Sequence, residues 1–298
     1  MHAAARGPRR RPGILVGVTP ARPTAGASDA ALADVLSPVR ADPARSAVLL
    51  DVDGTLAPIV RYAEDAHVPE STRTLLTQIA RRYAVVACVS GRHASDARRI
   101  VSIGTITYLG SHGTELLRAG GTEPELDPAV RDWGRRIQAF GREADAPELR
   151  RLRVRIEDKG SIVAFHWRGA PDEEAARAAI DAIAVRAEQG GLRTHWGRKV
   201  LEVRPPVRMD KGAGIVSFVT DLVESGVELA AAVYVGDDAT DRDAFRGLGE
   251  LVDAGTLRHA LRVCVGSDEG PSELAAEADL VVDGPDGVRA LLEGLLAA

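Results

Sequence analysis

Two aspartates one residue apart, Asp51 and Asp53, are the first residues in this chain whose types and spacing could do chemistry. They follow the apolar run Ala47 to Leu50 and precede Gly54. Side chains alternate along an extended chain, so the two carboxylates can project to one side and converge on one small volume. Carboxylates that close repel each other unless a cation or a proton relieves them. Taken alone, Asp-x-Asp-Gly also fits a solvated turn. A second acidic string, Asp237, Asp238, Asp241 and Asp243, follows the apolar run Ala231 to Val235. Four acids in seven residues behind a buried strand call for a cation, the alternative being a solvated acidic loop. Carboxylates and carbonyls around a small hard ion that keeps several waters suit Mg²⁺.

Three further strings stand at comparable places. Ser90, Gly91 and Arg92 end the apolar run Ala84 to Val89 just before a helical stretch near Ser95. A hydroxyl and free backbone N–H groups at a helix N-terminus can hold a phosphate oxygen, although Ser-Gly-Arg by itself is also a simple loop. The run Ile106 to Leu109 leads into Gly110, Ser111, His112, Gly113, Thr114 and Glu115, where His112 alone reads as a structural histidine and Glu115 as a solvated acid. Asp210, Lys211 and Gly212 open a helix with Ile215, Phe218 and Val219 on its apolar face. A cation beside the positive end of a helix is unfavourable, which implies a nearby anion.

These strings need a scaffold that collects strand ends. A helical pattern over Pro69 to Arg82 joins the first two apolar runs, and strand, helix, strand implies a parallel pair. Ligands of open parallel sheets bind at the carboxyl edge, where every string lies. Further strands are expected at Arg262 to Val265 and Leu280 to Val282, a short helix at Ala30 to Leu36 and a final helix from Asp286. Between about 117 and 205 the pattern changes to helices at Val130 to Phe140 and Glu173 to Ala187, with strands at Arg151 to Glu157, Ile162 to Trp167 and Leu192 to His195. The expected fold is therefore α/β, a doubly wound parallel-sheet (Rossmann-like) core of residues 29–116 and 206–298 with an inserted α+β cap at 117–205. Residues 1–28, rich in Ala, Arg, Pro and Gly without a period, read as a disordered extension.

The 298 residues suffice for one large or two ordinary domains, and 45% apolar with 27% charged residues is ordinary for a globular chain. A net charge of −5 gives no general attraction to nucleic acid. The two cysteines, Cys88 and Cys264, are too few for a disulfide framework and fit a reducing compartment. No apolar stretch approaches a membrane span, and Arg9 to Arg11 followed by Ile14 to Val18 is too brief for a secretory signal, so the expected location is cytoplasmic.

Asp-Val-Asp-Gly-Thr-Leu at 51–56 resembles the first motif of the haloacid dehalogenase superfamily. The resemblance implies that Asp51 is a phosphoryl-accepting nucleophile and Asp53 the general acid and base. Ser90-Gly91-Arg92 matches the second motif, Lys211 the third, and Gly236 to Phe245 the last. Gly110 to Glu115 is similar to a segment of the trehalose-6-phosphate phosphatase family, as are Ile156 to Lys159, Phe165 to Arg168 and Gly197 to Pro205. The likeness covers roughly 45–295 and departs at Arg242, where the family carries Glu; that position is expected to face away from the metal. It implies a hydrolase core that removes phosphate from trehalose 6-phosphate, a small-molecule sugar phosphate, as the last step of trehalose synthesis. By that analogy Mg²⁺ is held by the Asp51 carboxylate, the Asp53 carbonyl and the Asp237 carboxylate, with Asp238 and Asp241 in support. Catalysis falls to Asp51, Asp53 and Lys211. Substrate binding falls to Ser90, Gly91, Arg92, His112 and Glu115 from the core and to Glu157, Lys159, Arg168, Lys199 and Glu202 from the cap. A phosphatase for another glycosyl phosphate and a catalytically silent sugar-phosphate-binding module are the alternatives; a pure binder has no need of Asp53 as a second, proton-transferring carboxylate.

Overall fold

A computed structural model describes residues 29–60, 65–267 and 270–297; the extension expected over 1–28 lies outside them. The first half of the main sheet comes from α1 (Asp29–Arg40), β1 (Ser46–Leu50), α2 (Glu70–Arg82), β2 (Val85–Val89), α3 (Ala94–Val101), β3 (Thr107–Gly110), β4 (Glu115–Leu117) and β5 (Glu125–Leu126). The chain then forms α4 (Pro128–Ala144), α5 (Pro147–Arg151), β6 (Arg155–Asp158), β7 (Val163–His166), α6 (Glu173–Gln189), β8 (Arg193–Gly197) and β9 (Val200–Arg204). It returns through α7 (Lys211–Glu224), β10 (Ala231–Gly236), α8 (Asp241–Asp253), β11 (His259–Gly266), α9 (Ser272–Glu277), β12 (Leu280–Asp283) and α10 (Gly284–Leu296).

The main sheet has eight strands in the order β12-β11-β10-β1-β2-β3-β4-β5. The first six are mutually parallel, and β4 and β5 add an antiparallel edge. β1, β2 and β10 are buried along their whole length, which is why they read as unbroken apolar runs. Alternation divides the core in two. Val48, Leu50, Val86, Cys88, Val233 and Val235 pack with α1, α2, α3 and α10. Ala47, Leu49, Ala87, Val89, Ala232 and Tyr234 pack with α7, α8 and α9 on the other face. The two free cysteines thus lie on opposite faces of the sheet.

The same parity decides where the chemistry goes. Asp51 is two residues beyond Leu49, so it leaves β1 on the α7 side of the sheet, where Lys211 enters.

The intervening segment builds a separate antiparallel sheet, β6-β7-β9-β8. Phe165, Leu201 and Val203 bury one face against Ile137 of α4 and Ile180 and Ile183 of α6. Its neighbours along the chain differ from expectation in detail. β4 and β5 carry the main sheet through Leu126, and β9 is a full strand where only a charged string was legible. No helix among the described residues is long and apolar enough to cross a membrane.

Candidate active site

Parallel pairing lines up the carboxyl ends of four strands. β1 lies between β10 and β2, and β3 flanks β2. The Asp51 N–H donates to the Val235 carbonyl at 2.8 Å, which sets Asp51 beside the start of the Asp237 loop. On the other side the Ser90 N–H donates to the Leu109 carbonyl and the His112 N–H to the Ser90 carbonyl. Gly54 allows the turn to fold this tightly: its φ is +80°, and a Cβ there would run into the Asp237 carboxylate.

Lys211 is the hub of the buried charge. Its ammonium donates to Asp51 Oδ1 at 2.6 Å and Asp241 Oδ1 at 2.7 Å, with Asp238 Oδ1 at 3.9 Å. Burial pulls its pKa down, but these carboxylates outweigh burial and hold it protonated. Asp210 makes this placement possible by accepting the Ala213 N–H and so starting α7 just before Lys211.

Asp241 is fully buried and saturated. Its Oδ1 accepts from Lys211 and from the Tyr234 hydroxyl at 2.6 Å, and its Oδ2 accepts the N–H groups of Asp237 and Asp238 at 2.7 and 2.8 Å. Tyr234 was not legible as a site residue, because an aromatic in an apolar strand reads as core. The available signal was chemical: a buried tyrosine hydroxyl needs a partner, and a carboxylate lies seven residues on.

Ligand atoms of Asp51, Asp237 and Asp241 all lie within 4.8 Å of one another, a cluster able to hold a metal ion. The donor set separates their roles. Asp241 already accepts four hydrogen bonds, whereas among the described residues the Asp237 carboxylate receives only one long bond, 3.3 Å from the Thr55 hydroxyl. Burial, with Asp241 and Asp238 nearby, pushes the Asp237 pKa up to about 7. Burial likewise raises Asp51, against the pull of Lys211. Two under-compensated carboxylates side by side fit a divalent cation.

A cation that binds Asp237 must displace this proton, so affinity should rise with pH up to about 7 and level off above it. Calorimetric titration of Mg²⁺ in buffers of different ionisation enthalpy should register roughly one proton released per ion at pH 6 and almost none at pH 8. Equal proton counts at both pH values would remove Asp237 from the metal site.

Asp53 faces the second string. Arg92 Nε and Nη2 donate to its two carboxylate oxygens at 2.6 and 2.7 Å. Ser90 is buried, and its hydroxyl accepts the Arg92 N–H at 3.2 Å. Gly91 makes room for His112: a Cβ at Gly91 would lie 2.8 Å from the imidazole. Glu115 turns toward the start of α3, accepting from the Ala94 N–H at 2.9 Å, His93 Nδ1 at 2.8 Å and the Ser111 hydroxyl at 2.9 Å. Burial opposes its ionisation, but these donors hold its pKa below the usual range. The structure thus ties Glu115 to the loop that presents Arg92. Arg242 points outward to Glu277 of α9, as expected for the departure from the family string.

The turn carrying His112 rests directly on α7, where a Cβ at Gly113 would come within 2.7 Å of the Gly214 Cα. In an exposed helix Gly→Ala stabilises by about 1 kcal/mol. Here Gly214→Ala must separate the His112 turn from the helix that begins with Lys211. Thermal melting should show destabilisation, with turnover reduced at least about tenfold; a stabilised and fully active variant would contradict this coupling.

On the second sheet, Glu157, Ala164, Glu202 and His195 form one cross-strand row. His166 Nε2 donates to Glu157 at 2.8 Å, Lys159 donates to Glu202 Oε1 at 3.0 Å, and Arg204 Nε donates to Glu202 Oε2 at 3.1 Å. Lys199, in the β8–β9 turn, and Arg168, in the connection from β7 to α6, lie apart from this row. Lys199 pairs with Glu173 at 2.7 Å, and Arg168 reaches the Arg198 carbonyl.

The fold is shared with a haloacid dehalogenase-like hydrolase from Bacteroides thetaiotaomicron, at TM-score 0.50 and 14% identity over 83% of this chain and 98% of that one. It is shared more closely with Aspergillus fumigatus trehalose-6-phosphate phosphatase, at TM-score 0.65 and 22% identity over 92% of this chain and 99% of that one. The fold is therefore haloacid dehalogenase-like α/β. Residues 49–284 match the model of the trehalose-phosphatase family, and the chain belongs to that family. Among curated relatives, the trehalose-phosphate phosphatase of Mycobacterium avium (strain 104) is 36% identical over 200 residues, 67% of this chain and 50% of the relative. That of Mycobacterium tuberculosis (strain ATCC 25618 / H37Rv) is 35% identical over 208 residues, 68% of this chain and 51% of the relative. The chain spans about half the length of these curated relatives.

Proposed function

We propose that this chain is a Mg²⁺-dependent phosphatase that converts trehalose 6-phosphate to trehalose and phosphate through an aspartyl phosphate on Asp51. The observation that carries the reading is the buried Asp51 carboxylate, held 2.6 Å from the Lys211 ammonium at the end of β1, with Asp53 two residues on. Asp51 and Asp237, with the Asp53 carbonyl, would hold the ion. When bound, it neutralises charge on the phosphoryl oxygens and lowers the repulsion between nucleophile and substrate.

An Asp51 oxygen attacks phosphorus in line as the bond to the sugar oxygen breaks, and Asp53 protonates that oxygen as it leaves. Asp53 next takes a proton from water, which attacks the aspartyl phosphate, releases phosphate and restores the Asp51 carboxylate. Lys211 and the Ser90 hydroxyl face the equatorial oxygens, where most of the stabilisation in phosphoryl transfer arises. The Arg92 fork that grips Asp53 also suits a phosphate, so the arriving substrate competes for it.

The part of the expected 117–205 insertion that lies beyond β5, residues 127–205, acts as the cap in this reading, and the second sheet supplies substrate choice. Glu157 and Glu202 flank the small Ala164 on the strand between them, which sets their strands roughly 10 Å apart, a span wider than one pyranose ring. The names of the relatives favour the same disaccharide phosphate. The negative net charge supports a small-molecule partner rather than nucleic acid, and two buried free thiols suit the cytoplasm.

Phosphate release from trehalose 6-phosphate, glucose 6-phosphate and a small aryl phosphate, with Mg²⁺ or a chelator, tests the proposal. Strong preference for trehalose 6-phosphate, abolished by chelation and restored by Mg²⁺, is expected. Preference for a different glycosyl phosphate would transfer the assignment to that substrate, and metal-independent turnover would refute the mechanism.

A further inference from the structure

Glu202 is the most heavily engaged carboxylate of the second sheet's polar face. Its side chain is only 16% exposed. Lys159 takes Oε1, while Nε and Nη2 of Arg204 both take Oε2. Burial works to raise its pKa, but the Arg204 and Lys159 hydrogen bonds hold it below the usual carboxylate range. Arg204 is two residues from Glu202, hence on the same face of β9, and it is the last residue of that strand before the chain returns to the main sheet. After burial, the charges of Lys211 and Arg204 both act to hold the His112 imidazole below its ordinary range, against the pull of Asp238 and Asp243.

We infer that Arg204 is a positioning residue for substrate choice: its two-pronged grip on one oxygen fixes the Glu202 carboxylate in the orientation that meets the sugar hydroxyls. The inference rests on the trehalose 6-phosphate reading above. Lys159 alone cannot set this orientation, because an ammonium on a flexible stem makes a single contact, whereas the planar guanidinium approaches with two donors at fixed angles. A carboxylate held in this way accepts sugar hydroxyls without first losing side-chain freedom.

The test compares Arg204→Ala and Arg204→Lys with the parent protein on trehalose 6-phosphate and on para-nitrophenyl phosphate, which has no sugar to recognise. Misaligning one charged acceptor should raise KM for trehalose 6-phosphate about tenfold or more in Arg204→Ala, with kcat and aryl phosphate turnover changed less than about twofold. Trehalose should lose a similar factor as an inhibitor of aryl phosphate hydrolysis, a readout that a purely structural role would not move. Arg204→Lys should recover part of both effects. If the parent prefers trehalose 6-phosphate and Arg204→Ala keeps its KM, the inference is wrong while the reading beneath it stands. Equal losses on both substrates would also overturn it, by assigning Arg204 to folding or to the phosphoryl site. A parent protein indifferent to the sugar would overturn the underlying reading, and the inference with it.

Discussion

Asp51→Asn should lower kcat on trehalose 6-phosphate by roughly 10⁴-fold or more while leaving the fold intact. The amide keeps the shape of the side chain and its oxygen can still accept from Lys211, so the ammonium is not stranded. What disappears is the attacking charge and one of the two under-compensated carboxylates, leaving Asp237 alone. The loss should therefore fall on turnover, with Mg²⁺ binding weakened and the circular dichroism unchanged. Steady-state rates on trehalose 6-phosphate together with thermal melting check this. A variant with substantial turnover would mean that phosphorus is attacked by something other than Asp51.

Asp241→Asn carries the largest expected loss of stability. All four partners of Asp241 are donors: Lys211 and the Tyr234 hydroxyl on one oxygen, the N–H groups of Asp237 and Asp238 on the other. An amide cannot serve them, since its NH₂ faces donors in either orientation. A buried cation that loses a carboxylate partner, together with unpaired donors, costs about 3–5 kcal/mol. Urea unfolding should show that loss, and turnover should collapse with it, because Lys211 and the Asp237 loop are both aimed by this side chain. Asp238→Asn is the contrasting case, since its side chain is 55% exposed and 3.9 Å from Lys211. An Asp241→Asn protein with the parent's unfolding midpoint would show that the cluster is not what holds the loop.

The parts of the molecule that were legible in the sequence are those where one local rule suffices. Fully buried parallel strands give unbroken apolar runs, so β1, β2 and β10 stood out, and with them the carboxyl edge that gathers Asp51, Ser90 and Asp237. Lys211 was legible as a cation in an unfavourable place, and its two carboxylate partners supply the reason. What stayed hidden depends on tertiary pairing. β5 is two residues long and β4 three, too short for any period to show. β9 alternates Val, Leu, Glu, Val and Arg across two environments, one apolar and one carrying Glu202 and Arg204, and only the pairing with β7 and β8 separates them. Tyr234 and Thr55 were hidden because their partners, Asp241 at the start of α8 and Asp237 in the turn before it, meet them only when the chain folds back over the strand ends. The commitment of Glu115 to α3 was hidden for the same reason, since Ala94 and His93 lie about twenty residues earlier in the chain.

Covalent capture of the phosphoryl group tests the central claim most directly. In Asp53→Asn, Asp51 can still attack, but no carboxylate remains to activate the water that discharges it. Brief reaction of this variant with trehalose 6-[³²P]phosphate and Mg²⁺, followed by acid quench and peptide mapping, should find label on the peptide containing Asp51, and none in the Asp51→Asn, Asp53→Asn double variant. Absence of protein-bound label from the single variant, under conditions where the parent protein releases phosphate from the same substrate, would contradict an aspartyl phosphate on Asp51.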